Sequence, residues 1–86
     1  MRPIYQIAND IQKVWVTKDG KPNVWFGAVP YLDAMRDISS CDDMYGADTG
    51  TSIVLYFLSN AAQFRGPQAK ALKNELREHC GLKKIK

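Results

Sequence analysis

Apolar side chains recur with a helical period over residues 3–16. Ile4, Ile7, Ala8, Ile11, Val14 and Trp15 fall within an arc of about 120° on a helical wheel, and Gln6, Asn9, Asp10 and Lys13 take the opposite side. Pro3 suits the first turn, where its missing N–H costs nothing. Pro30 opens a second helix over 30–38, with Tyr31, Ala34, Met35 and Ile38 inward and Asp33, Arg36 and Asp37 outward. A third helix spans 51–64. Ile53, Val54, Phe57, Ala61 and Phe64 form its main face, and Leu58, Leu55 and Ala62 widen the apolar arc, so it is expected to pack on several sides as the core. Arg65-Gly66-Pro67 breaks the chain, and a fourth helix over 67–80 turns Ala69, Leu72, Leu76 and Cys80 inward before stopping at Gly81.

The linking segments are less determined. Thr17-Lys18-Asp19-Gly20-Lys21-Pro22-Asn23 is a turn by composition. With Val14-Trp15-Val16 and Val24-Trp25-Phe26 around it, a short β-hairpin over 14–26 competes with helix, loop and extended piece. The helical period up to Trp15 favours the latter. Residues 39–50 read as a long connection whose Asp48-Thr49-Gly50-Thr51 ending caps the third helix. The fold class is therefore all-α: one small four-helix domain over residues 1–86, with a basic, frayed tail at 82–86.

Size and composition narrow the function. Eighty-six residues with 45% hydrophobic and 24% charged side chains form one modest core, which excludes disorder and a two-domain enzyme with a deep cleft. The longest apolar run, residues 53–58, is far too short to cross a membrane. Met1-Arg2-Pro3-Ile4-Tyr5-Gln6 lacks the apolar stretch of an export signal, so Cys41 and Cys80 are expected as free thiols in a reducing cytoplasm.

The net charge of +3 is unevenly spread: residues 42–64 carry only Asp42, Asp43 and Asp48, whereas residues 65–86 carry seven basic groups against Glu75 and Glu78. Lys70, Lys73 and Arg77 lie within about 60° of one another on the fourth helix, a cationic ridge close to Arg65. This ridge is either a solvated face or a site for an acidic protein surface or nucleic acid, with Gln68 and Asn74 placed to read bases. Aromatic residues exceed what so small a core can hide. Trp25, Tyr45 and Leu55 are the candidates for an exposed patch that anchors a partner or a second copy of the chain.

Catalysis finds little support. His79 is the only histidine, and its neighbour Cys80 diverges from it by about 100° on a helix, which disfavours a dyad. No glycine-rich phosphate loop is present, and the spacing of Asp42, Asp43 and Asp48 does not match a calcium loop, so no cofactor or metal is expected. These carboxylates read instead as caps of short turns.

Gly27-Ala28-Val29-Pro30-Tyr31-Leu32-Asp33-Ala34-Met35, Tyr45-Gly46-Ala47-Asp48, Ile53-Val54-Leu55-Tyr56-Phe57-Leu58-Ser59-Asn60-Ala61 and Phe64-Arg65-Gly66 together resemble a family of short tailed-phage and prophage proteins. The resemblance covers residues 4–80; Phe64 stands where the family carries tryptophan, and residues 17–23 look like an insertion. It implies residence in the bacterial cytoplasm and an accessory role of the anti-defence, anti-CRISPR-like kind, in which a small protein binds and blocks a host complex. The shared motifs are caps and core, and bear on fold more than on function.

Overall fold

The computed structural model describes residues 2–82. The first helix, α1 (Ile4–Val14), follows the apolar period, stopping two residues short of the predicted end. Pro3 is its N-cap and offers no side-chain acceptor. The first amides are satisfied from outside the helix: Ile4 N donates to Ser39 O at 2.9 Å and Tyr5 N to Ile38 O at 3.0 Å. After Trp15 the chain reverses, with Thr17 N donating to Lys21 O and Asn23 N to Trp15 O. Pairing there is limited to one isolated antiparallel bridge, Val16↔Pro22, so the hairpin alternative for 14–26 survives only as a minimal reversal without strands. Pro22 has no N–H to continue a ladder.

Helix α2 (Val29–Met35) is shorter than predicted. Beyond it, i→i+3 bonds from Asp37 N to Ala34 O and Ile38 N to Met35 O tighten the last turn and still carry Ile38 into the core. A real hairpin lies where a plain connection was expected: β1 (Met44–Tyr45) pairs antiparallel with β2 (Asp48–Thr49) in the register Met44↔Thr49 and Tyr45↔Asp48. Its turn places Gly46 at φ +63° and Ala47 at negative φ, the II′ arrangement.

Helix α3 (Gly50–Ser59) begins as read, with Thr49 Oγ1 accepting from Ser52 N at 3.1 Å. It ends five residues before the predicted boundary because Asn60 closes it, its Nδ2 donating to Tyr56 O at 2.9 Å and its N–H to Phe57 O. Two further turns then bring Ala61 and Phe64 inward. Helix α4 (Pro67–His79) ends in a Schellman arrangement: Gly81 N donates to Glu78 O and Leu82 N to Arg77 O, with Gly81 at φ +70°. The lysine tail from residue 83 lies outside the described residues.

α1 packs on α4 and α2 on α3 around one hydrophobic cluster. Trp15 stacks on Phe64 at 4.9 Å and meets Phe57 edge-on at 6.3 Å. Ile53, Val54 and Phe57 are buried as predicted, but Leu55, Tyr56 and Ser59 are exposed, so α3 is covered on one side and not all round. Outside the core, Arg2 clamps α1 to α4: its Nε and Nη2 donate to Glu75 Oε2 and Oε1, each at 2.7 Å, and its Nη1 to Asp10. Among the described residues no helix is long and apolar enough to cross a membrane.

The cysteines overturn an expectation. Cys41 and Cys80 are not free thiols but form a disulfide, their Cα atoms 5.5 Å apart across a sequence separation of 39. Packing of α4 brings its C-cap onto the α2–α3 connection, a proximity invisible in the linear spacing.

Candidate functional site

The α3–α4 turn builds the most distinctive surface. Gly66 adopts φ +110°, a conformation that L side chains avoid, and this turns the chain so that Pro67 starts α4. Arg65 is held back over the turn by Nε donating to Ala62 O at 3.2 Å. A groove of about 600 Å³ results, lined by Phe64, Arg65, Gly66, Pro67, Lys70, Lys73 and Arg77. All four predicted basic residues therefore meet in one place, around an apolar floor.

Among the described residues no carboxylate lines this groove. Glu75, on the other flank of α4, is taken up by Arg2. The cations are left to repel one another, and Lys73 registers it: desolvation first, then Arg77 and Arg65, pull its pKa below the usual lysine value. Its Nζ rests 5.7 Å from the Phe64 ring centroid, and Arg77 is steadied by Nη1 donating to Asn74 Oδ1 at 3.0 Å. The arrangement concentrates positive charge around an apolar floor. The supposed base readers do not join it: Gln68 lines a separate cleft against Asp10 and Lys13, and Asn74 is engaged by Arg77.

Trp25 is 38% exposed and packs against Phe26, which is 74% exposed, with ring centroids 4.3 Å apart. A Cβ at Gly27 would come within 2.7 Å of Trp25 Nε1 and 3.1 Å of Asn60 Oδ1, so the glycine allows the indole to lie against the end of α3. There Trp25 shares a shallow cleft with Ser59, Asn60, Ala62 and Gln63. Ala62, in that cleft, is also the residue whose carbonyl anchors Arg65.

Tyr45 and Leu55 are exposed but lie apart, on the hairpin and the outer side of α3. Beside Leu55, Tyr56 is exposed and its ring lies 5.5 Å from that of Tyr31. Phe26, Tyr56 and the groove floor Phe64 were not singled out from the sequence. The aromatic–cation–glycine run Phe64-Arg65-Gly66 was the available signal for the last of them.

The acidic loop does structural work through one member. Asp43 Oδ2 accepts from Ser39 N at 2.8 Å and Ser40 N at 3.2 Å, and these amides hold its carboxyl below the usual range. Asp43 O accepts from Gly50 N. Among the described residues no three His, Cys, Asp or Glu side chains are grouped so as to hold a metal ion. His79 is at the disulfide, its Nδ1 3.8 Å from Cys41 Sγ. Compared with known proteins, the chain matches no family model, no curated protein and no solved structure.

Proposed function

We propose that this chain is a non-enzymatic binding module of phage type that docks on an acidic face of a host protein complex and inhibits it. One observation carries the reading: Arg65, Lys70, Lys73 and Arg77 converge on one groove, whose lining among the described residues holds no carboxylate. The exposed pair Trp25 and Phe26 adds the kind of aromatic anchor that dominates binding energy at protein interfaces. The surrounding charge would steer an acidic partner toward it. Leu55 and Tyr56 on α3, and Tyr45 separately on the hairpin, are further exposed apolar side chains for the same complex or for another copy of the chain.

Alignment of Lys70, Lys73 and Arg77 along one side of α4 favours a second reading, phosphate contacts to DNA or RNA. Affinity capture from host lysate, with and without nuclease, separates the two. The proposal expects a protein complex retained through nuclease treatment and lost with K70E/K73E/R77E, a triple variant that keeps its far-UV circular dichroism. Capture abolished by nuclease, with a gel shift that weakens steeply with salt, would transfer the groove to nucleic acid. Inhibition unchanged by the triple variant would overturn both.

A further inference from the structure

The cationic groove has a length and a polarity. Pro67, Lys70, Lys73 and Arg77 line it at every third or fourth residue, which is one side of α4. At a rise of about 1.5 Å per residue, the run from Pro67 to Arg77 measures about 15 Å. An extended chain rises about 3.3 Å per residue, so about five residues span that run, with side chains on one face recurring at about 6.6 Å. Lys70, Lys73 and Arg77 follow one another along the axis at steps of about 4.5 and 6 Å, and their long stems take up the difference. Phe64, Gly66 and Pro67 leave the turn end of the lining uncharged. Lys73 is the crowded cation: burial, then Arg77 and Arg65, hold its pKa below the usual lysine value, and a carboxylate placed among the three relieves that repulsion.

The geometry points to a short, extended acidic segment of the partner as the occupant of this groove, with carboxylates at alternate positions facing Lys70, Lys73 and Arg77 and one aliphatic side chain at the Phe64–Pro67 end. This rests on the docking reading above and narrows it from an acidic face to a linear element. The groove volume of about 600 Å³ falls inside the range of concave ligand sites, about 300–1,000 Å³, whereas a flat or convex folded face would leave it unfilled. Carboxylates suit it better than a phosphate backbone. Phe64 is only 2% exposed, too little for a base to stack on its ring, but beside the exposed Pro67 it completes an apolar shelf for an aliphatic side chain. Base readers are missing too, since Gln68 lines another cleft and Asn74 accepts from Arg77.

The test titrates the full chain into fluorescein-labelled, end-capped peptides at low salt, reads anisotropy, and maps the amides that move by NMR on the ¹⁵N-labelled chain. The first peptide carries a terminal leucine followed by glutamates at alternate positions with serine between. A second has the same composition with its glutamates in one block, a third has serine for leucine, and a single-stranded oligonucleotide of equal charge completes the set. The first peptide is expected to bind with a micromolar Kd, to move amides of residues 64–77, and to lose about tenfold or more in K70E/K73E/R77E. The second and third should bind severalfold more weakly. No binding at low salt, equal binding of the blocked peptide, shifts confined to other surfaces, or tighter binding of the oligonucleotide would overturn the proposal. A silent peptide, with host capture still lost in the triple variant, removes the linear segment and leaves docking on a folded acidic face. Capture indifferent to the triple variant removes the docking reading itself. If the triple variant fails to fold, the peptide ranking and the amide map on the parent chain decide.

Discussion

Phe64 is the residue through which the core and the cationic groove share a wall, and replacing it by leucine tests both at once. Its ring stacks on Trp15 at 4.9 Å and lies 5.7 Å from Lys73 Nζ. Leucine keeps most of the apolar volume but ends both ring interactions. The aromatic pair is worth about 0.5–1.5 kcal/mol beyond its buried area. The cation–π contact adds about 0.5–1 kcal/mol, so together the loss is about 1–2.5 kcal/mol. For a domain of this size each kcal/mol shifts Tm by about 4–8 °C, so a fall of about 4–20 °C is expected. Urea unfolding followed by tryptophan fluorescence and far-UV circular dichroism gives the free energy, and near-UV dichroism reports the Trp15 environment. Partner binding should weaken as well, because Lys73 loses the surface that positions it. A stability change within about 0.5 kcal/mol, with an unaltered near-UV spectrum, would refute the view that this ring joins core to groove.

Two further outcomes test the connection that supports α3. Gly50 opens α3, and Gly→Ala at a position whose backbone alanine can adopt ordinarily stabilises by about 0.4–1 kcal/mol. Here the new Cβ would meet Ser40 O at 2.6 Å and Cys41 Cα at 2.8 Å, both backbone atoms, so the sign should reverse, with a loss of more than about 2 kcal/mol by urea titration. The Asp43 carboxyl is depressed by the Ser39 and Ser40 amides, so its contribution is present above the unfolded value of about 3.9 and lost as pH falls through the folded value. Stability measured across the acid range should therefore drop below about pH 4, and Asp43→Asn should lower it at neutral pH while flattening that drop. A parallel pH profile for the two chains would remove Asp43 from the acid response.

The helical faces were legible because Ile4, Ile7, Ile11, Leu72 and Leu76 repeat at the period that a half-buried helix requires. The end of α3 was not. Its apolar residues continue through Ala61 and Phe64, and only the Asn60 side chain, bonding back to Tyr56, reveals that the helix has stopped. Strands of two residues have no alternation to detect, which hid the hairpin of β1 and β2, while the stronger Asp19-Gly20 signal led to a single bridge. Lys70, Lys73 and Arg77 could be grouped in advance because they occupy one helix face. Their union with Arg65 and Phe64 depends on the left-handed Gly66, and the disulfide depends on where α4 comes to rest. Such long-range closures leave no local pattern.

Residues 39–43 are a five-residue hub. Ser39 O receives the first amide of α1, Cys41 O and Asp43 O receive the opening amides of α3, and Cys41 is bonded to the cap of α4, while the segment itself continues from α2. Every helix thus has an end fastened to this one stretch. No helix can detach without disturbing the anchorage of the others, so loosening at the hub would spread through the whole molecule. A segment that looks like a loose tether in the primary structure is where the ends of the helices are gathered.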